Sequence, residues 1–247
     1  MNEGLPRQSM VGRIDRCFRR KDTFLANGLR KACSLQGTEY RNSKFKRNFE
    51  LTITAPVALL SIPVTVVLGL AAKAEDGGSM FFFQERVGKD GKPVTITKIR
   101  TMHPESDTRK SYLEHAGLYE SYEDPRNTRA GRVIRALSLD ELPQLWQVLK
   151  GSVSLIDVRC ITQYSIDLMQ SMRPKTFEEW HKAYTAGTPG ILNLYSATRT
   201  HTKHGAKKHH YDMLYAKKAT LGMDLFIIFR TVVEGARRFK RTVKNQK

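Results

Sequence analysis

The chain has 247 residues, 40% hydrophobic and 27% charged, a composition that builds a packed core and excludes a disordered polymer. Its 42 Lys+Arg against 24 Asp+Glu leave a net charge of +18, which draws polyanions (nucleic acid, an anionic membrane surface, phosphorylated substrates) without choosing among them. Three cysteines, Cys17, Cys33 and Cys160, give neither a disulfide framework nor a zinc signature, and a reducing compartment is the default.

Residues 1–43 read as a basic N-terminal extension. Ile14, Phe18, Leu25 and Leu29 recur at helical spacing, so the segment is either a basic amphipathic helix on an anionic membrane or a solvated extension. The order of charge and apolarity is not that of a secretory signal. Residues 44–73 contain an uncharged run of 22 residues, Leu51 to Ala72, longer than the roughly 18–20 needed to cross a bilayer core. Pro56 and Pro63 interrupt it, and Pro63 removes a backbone hydrogen bond near its middle. Ser61 is placed to supply a replacement partner. Lys44, Lys46 and Arg47 precede the run and Lys73 follows it. With both flanks basic, a re-entrant helix–break–helix fits the preference of positive segments for the cytoplasm, and a straight crossing is its rival.

Residues 74–235 read as the main folded domain of the chain. Phe81–Phe83 and the alternating Val94, Ile96 and Ile99 predict a β-hairpin turning at "GKDGK". Residues 103–127 are polar, a surface helix and loop. The pattern is helical from Gly131 to Leu149, with Leu142, Leu145, Val148 and Leu149 on one stripe. "SVSLIDVR" predicts a strand, Thr176–Tyr184 a helix, and Leu221, Leu225, Ile228 and Val232 one face of an amphipathic helix. Residues 236–247 form a basic tail. His201, His204, His209 and His210 lie in a lysine-rich tract without carboxylates, better read as a flexible basic loop than a metal site.

The stretch "LSLDELPQL" is ambiguous. Ser138 and Glu141 match a capping box, which accounts for the acids without chemistry. Pro143 argues otherwise: it prefers the first helical position, and a regular helix starting there leaves Asp140 and Glu141 on an irregular lead-in, free to face a ligand. Arg132 and Arg135 precede the pair, and Arg159 follows on the next element. Carboxylates with arginines suit a magnesium-and-phosphate site.

Three blocks, "FFFQERVGKDGKPVTITKIRTM", "DPRNTRAGRVIRALSLDELPQLWQVLKGSVSLIDVR" and "TPGILNLYSATR", follow an apolar segment opened by "FKRNFE". In that order they resemble the bacterial sugar transferase family, the monotopic phosphoglycosyl transferases. The resemblance covers roughly residues 44–235. It implies an α+β, mainly helical fold: a re-entrant membrane helix–break–helix, a small β-hairpin and amphipathic interfacial helices around a catalytic domain at the cytoplasmic face of the inner membrane. It implies transfer of a sugar 1-phosphate from a UDP-sugar to polyprenyl phosphate, releasing UMP and starting exopolysaccharide, O-antigen or glycoprotein glycan assembly. By the same resemblance Asp140 is the nucleophile of an aspartyl-phosphosugar intermediate and Glu141 holds Mg²⁺. Arg135 and Arg159 bind phosphate, Asp224 serves the acceptor site, and Ser61 and Pro63 mark the membrane break. Anionic lipids are the expected surroundings and nucleic acid is not an expected partner. The oligomeric state, a homodimer included, is left open.

The chain departs from the family twice. "VGPRP" becomes Ile156-Asp157-Val158-Arg159-Cys160, which keeps the arginine, loses the glycine and prolines, and adds an acid near the phosphate site. "PGITGLWQVSGR" becomes "PGILNLYSATR", with Asn193 and Tyr195 in place of glycine and tryptophan. These departures motivate a rival function, a catalytically degenerate membrane adaptor for glycan assembly. A nucleic-acid-binding protein has only the charge in its favour and leaves the uncharged run unexplained.

Overall fold

The computed structural model describes residues 34–103, 124–198 and 206–245. Residues 1–33, the polar stretch 104–123, and His201 and His204 lie outside the described residues.

A short helix α1 (Gly37–Arg41) leads into α2 (Lys44–Asp76), 33 residues long. Ser43 caps α2 by accepting the Lys46 amide at 3.1 Å, and Gly77 ends it in the left-handed region, φ 73°. The expected break is not an interruption of the helix, which continues through Pro56 and Pro63. Each proline removes one intrahelical bond, while the buried stripe stays in line across both. That stripe is Lys46, Glu50, Thr54, Ala58, Ser61, Gly69 and Ala72, spaced mostly three or four apart as one face of a helix requires. The Ser61 hydroxyl donates to the Ala58 carbonyl at 2.7 Å, one residue before the Leu59 carbonyl that Pro63 deprives of its amide.

The rest of α2 is uncovered. Leu59, Leu60, Val67 and Leu70 are 63%, 74%, 63% and 52% exposed. The helix is long and apolar enough to cross a membrane by length and composition, and an apolar surface of this extent calls for a cover that is not water.

The hairpin forms as expected. Strand β1 (Phe81–Val87) pairs antiparallel with β2 (Pro93–Ile99), Phe81 opposite Ile99 and Val87 opposite Pro93. Its turn uses Asp90 and Gly91 at φ 55° and 74°, where a glycine is at ease. Helix α3 (Arg129–Ala136) is capped twice. Thr128 accepts the Gly131 amide at 2.9 Å, and Glu75 at the end of α2 accepts the Arg129 and Ala130 amides at 2.6 and 2.9 Å. A Cβ on Gly131 would fall 2.0 Å from the Thr101 carbonyl oxygen, so only glycine lets α3 lie this close to the end of the hairpin.

The helical pattern expected over 131–149 is not one helix. It stops at Ala136, passes through Ser138 and a 3-10 turn (Leu139–Glu141), and resumes as α4 (Gln144–Lys150). Gln147 of α4 covers the open edge of β2: its side-chain oxygen accepts the Thr97 amide at 2.9 Å, and its nitrogen donates to the Thr95 carbonyl. Strand β3 (Ser154–Ile156) pairs parallel with β4 (Gly190–Leu192). Helices α5 (Gln163–Met172) and α6 (Pro174–Thr185) make the crossover between them. Then come α7 (Leu194–Ala197), α8 (Ala206–Lys218) and α9 (Leu221–Asn245). The fold is thus mainly helical with small sheets, α+β as expected. Its core is centred on Val148, Ile156, Trp180, Tyr184, Tyr215 and Ile227.

Three expectations need correction. Residues 206–210 of the histidine tract are not a loop but the start of α8, where His209 sits edge-on to Trp180 at 5.5 Å. Residues 236–245 are not a separate tail but the last turns of α9. Within α9, Asp224 and Ile227 face inward, while Phe229 and Val232 are 59% and 66% exposed. Apolar residues on both sides of one helix make its buried face unreadable from spacing alone.

Candidate active site

The local backbone favours the second reading of "LSLDELPQL". Ser138 adopts φ 58° and ψ 28° and makes no capping bond, so the capping box does not form. Pro143 instead stands immediately before α4. The left-handed serine turns the chain, and Asp140 and Glu141 follow on the short turn between α3 and α4.

A lysine that the sequence did not single out completes the pair. Lys98 of β2 places Nζ 2.7 Å from Glu141 Oε1 and 3.3 Å from Asp140 Oδ2. The Asp140 side chain is 9% exposed and that of Glu141 32%. Burial pushes the Asp140 carboxyl above its usual range, against the pull of Lys98 and Arg135. Glu141 moves the other way: burial opposes its charge, but Lys98 and Arg159 outweigh it and hold the carboxyl below its usual range. Two adjacent acids thus carry different proton affinities, set by which cations each one faces.

Arg135, at the end of α3, donates to Asn127 Oδ1 at 3.2 Å and adds positive field at Asp140. Arg159 is exposed on the segment after β3, and its charge and that of Arg86 reach Glu141. Arg126 is paired with Asp124 at 2.6 Å beside Arg135. Lys98 and three arginines, Arg135, Arg159 and Arg86, therefore bring positive charge to bear on the two acids, as a polyphosphate site requires.

Among the described residues no group of three or more His, Cys, Asp or Glu side chains converges. An all-protein metal cage is therefore not what these residues offer. Two neighbouring carboxylates do suit Mg²⁺, which takes one or two protein carboxylates and completes its shell with water and substrate phosphates. The position of the Lys98 ammonium, within reach of both acids, shows that a cation is favourable there.

Asp224 is not brought to this site. It is fully buried in α9, where Lys46 approaches at 3.0 Å and Tyr40 and Tyr215 donate at 2.8 and 2.6 Å. Burial pushes its carboxyl up, and Lys46 and the two tyrosines pull against that. Lys46 also meets Glu50 at 2.6 Å and the Ile156 carbonyl, and Glu50 accepts the Ser154 hydroxyl. This network fastens α2 to β3 and α9. Arg47 joins in by donating to the Val148 and Leu149 carbonyls at 2.6 and 3.0 Å, which answers the negative end of α4.

The two sequence departures also find places. Asp157 is 1% exposed and held by Arg41 at 2.7 Å, so its charge is neutralised inside the body. Asn193 accepts the Ser196 amide at 2.9 Å and caps α7. Tyr195 packs against Tyr211, ring centres 6.1 Å apart.

The model of the family described as "Bacterial sugar transferase" matches residues 41–238. The exopolysaccharide production protein ExoY of Rhizobium meliloti (strain 1021) is 29% identical over 196 residues, 76% of this chain and 83% of the relative. The UDP-N-acetylgalactosamine-undecaprenyl-phosphate N-acetylgalactosaminephosphotransferase of Aeromonas hydrophila is 31% identical over 190 residues, 76% of this chain and 42% of a longer relative. The UDP-glucose:undecaprenyl-phosphate glucose-1-phosphate transferase of Klebsiella pneumoniae is 30% identical over 201 residues, 78% of this chain and 40% of that relative. The match spans most of the chain and includes the hairpin, the acid pair and the arginines around it: this protein belongs to the bacterial sugar transferase family.

Proposed function

We propose that the protein transfers a sugar 1-phosphate from a UDP-sugar to polyprenyl phosphate and releases UMP. The observation that carries this reading is the Asp140–Glu141 pair held by Lys98, with Glu141 partly open to solvent and Arg135, Arg159 and Arg86 adding positive charge. An Asp140 oxygen bonds the sugar-bearing phosphorus of the donor. The bond from that phosphorus to the bridging oxygen breaks, and its electrons leave with UMP. A phosphate oxygen of the acceptor then attacks the same phosphorus, which frees the Asp140 carboxylate and yields the polyprenyl diphosphate sugar. The reaction is two displacements through an aspartyl-phosphosugar intermediate.

Partial burial strips water from Asp140 and makes it a better nucleophile than a hydrated carboxylate. Arg135 and Arg159 grip phosphate oxygens through two-pronged hydrogen bonds. Glu141, with Asp140 beside it, would hold Mg²⁺, which when bound offsets charge on the diphosphate. Lys98 holds the two acids together and, with the donor bound, supplies a fixed positive charge beside the phosphate oxygens where charge develops.

The acceptor is a lipid whose phosphate stays among the headgroups, so the site must sit at that level. The apolar side of α2 and the exposed Phe226, Phe229 and Val232 of α9 support immersion at the cytoplasmic face of the inner membrane. The basic surface favours anionic lipids. α2 would enter and return on the same side, and both basic flanks support that path. The named relatives differ in the sugar they carry, so the donor is open among UDP-hexoses, and the product would start a surface glycan.

The full chain in detergent, given Mg²⁺, polyprenyl phosphate and UDP-glucose, UDP-galactose or UDP-N-acetylgalactosamine, releases UMP with at least one donor. Asp140→Asn abolishes release. Full turnover by Asp140→Asn would end the case for that nucleophile, and no release with a wide donor panel would end the case for the reaction.

A further inference from the structure

We propose that Arg41 is a positioning residue for Arg159, acting through Asp157; the inference rests on the reading of Arg159 as a donor-phosphate ligand. Arg41 ends α1, and its side chain has no solvent exposure. Its Nε and Nη2 donate to Asp157 Oδ1 at 2.9 and 2.7 Å, and its Nη1 donates to the Ala183 carbonyl at 2.7 Å. One guanidinium thus ties together the end of α1, the end of α6 and the chain two residues before Arg159.

The rest of that segment is fastened as well. Asp157 Oδ1 accepts the Val158 amide at 2.7 Å, and the Gly190 amide donates to the Val158 carbonyl at 2.8 Å. A Cβ on Gly190 would lie 2.1 Å from the Asp157 nitrogen, so β4 presses directly on the acid's backbone. Beyond Arg159, the Cys160 carbonyl accepts Arg86 at 2.9 Å, and the Ile161 amide donates to Tyr184 Oη at 3.2 Å. Val87 donates its amide to the Ile161 carbonyl at 2.9 Å. Between Asp157 and Ile161 only Arg159 is exposed, and its charge lowers the proton affinity of Glu141.

Stability does not explain the Arg41–Asp157 pair. Desolvating two charges offsets most of their attraction, and an apolar pair of similar size does as well. What the pair supplies is a single position for the loop. A two-pronged arginine with a third bond to a helix end permits only one placement of Asp157, and therefore of the residue two further on. The acid that departs from the family sequence is thus part of the mounting of a phosphate ligand rather than a repulsive charge beside it.

The test is UDP affinity, measured by titration calorimetry on the full chain in detergent with Mg²⁺, together with thermal melts. Arg41→Met/Asp157→Asn melts cooperatively and binds UDP about tenfold more weakly. Arg159→Ala weakens UDP similarly, and combining all three changes weakens it no further, because both act through one contact. In turnover, the double variant raises the donor KM and keeps kcat within about twofold of the parent. Unchanged UDP affinity in a cooperatively melting double variant would overturn the proposal, as would losses that multiply in the triple variant. Should the double variant fail to melt cooperatively, Asp157→Asn alone, which keeps the Val158 acceptor, decides by the same two comparisons. UDP binding that responds in this way, with no UMP released from any donor, would sink the proposed transferase reaction and leave the positioning role standing.

Discussion

Lys46 Nζ lies 3.0 Å from Asp224 Oδ2 with both side chains shut away from solvent, and this contact joins the start of the apolar helix α2 to α9. The same ammonium meets Glu50 at 2.6 Å, so two buried carboxylates depend on one cation. Removing it leaves uncompensated charge in the interior, which costs about 3–5 kcal/mol. Lys46→Met is expected to lower the melting temperature of the detergent-solubilised protein by many degrees. Asp224→Asn, which keeps size and some hydrogen bonding, lowers it less. Equal, small losses in the two variants would show the network to be passive.

Lys98 is the cation nearest the acid pair, and its loss should act on catalysis more than on folding. Asp140 keeps the field of Arg135 and the Glu141 side chain is 32% exposed, so Lys98→Met leaves neither carboxylate buried without a cation or water. The expected outcome is a fall in kcat of about a hundredfold, the order found when one preorganised charged donor is removed, with a cooperative melt close to the parent's. Lys98→Arg, which keeps the charge, recovers part of the loss. UMP release under saturating donor measures both.

The acid pair was legible in the sequence because its signals are local. Pro143 cannot sit inside a helix begun at Ser138, and the structure starts α4 just after it. The hairpin was legible for the same reason, through alternation and a glycine-containing turn. Lys98, Lys46 and Asp224 were not singled out correctly, because their meaning depends on partners 42, 178 and 184 residues away. Signals were nevertheless present. Lys98 continues the register of Val94 and Ile96, the face expected to be apolar, and Lys46 and Glu50 lead straight into the stripe of Thr54 and Ala58. A charge that falls on an apolar face indicates a buried partner or a site. The helices α5 and α8 had no such advantage, since their apolar periodicity is weak and their contacts are tertiary.

Ser138 carries the turn that separates Asp140 and Glu141 from α3. Its φ of 58° is outside the region L-residues prefer. Glycine adopts that conformation without penalty, whereas a β-branched residue does so at a cost of about 1–3 kcal/mol. Ser138→Gly should therefore keep or raise the melting temperature and retain UMP release. Ser138→Val should lower both, because relief of the strain straightens the turn and withdraws the acids from Lys98. Normal turnover in Ser138→Val would show that the turn tolerates another backbone path.

Asp124 makes a prediction about acid. Hydrogen bonds from Arg126, at 2.6 Å, hold its carboxyl below the ordinary value of 3.8, against the opposing effect of burial, and Arg135 adds to the pull. A carboxylate that is more acidic in the folded state contributes stability above its unfolded value, and that contribution fades as pH drops through the lower folded value. Melting temperature should therefore be insensitive to this group at neutral pH and fall as the solution is taken below about pH 4. Asp124→Asn lowers the melting temperature at neutral pH and flattens the fall in acid, so the two curves converge at low pH. Because Asp124 stands beside Arg135, removing its negative charge should tighten UDP binding at neutral pH. Parallel melting curves across the whole range, with unchanged UDP affinity, would place the Arg126 pair outside both the stability and the phosphate site.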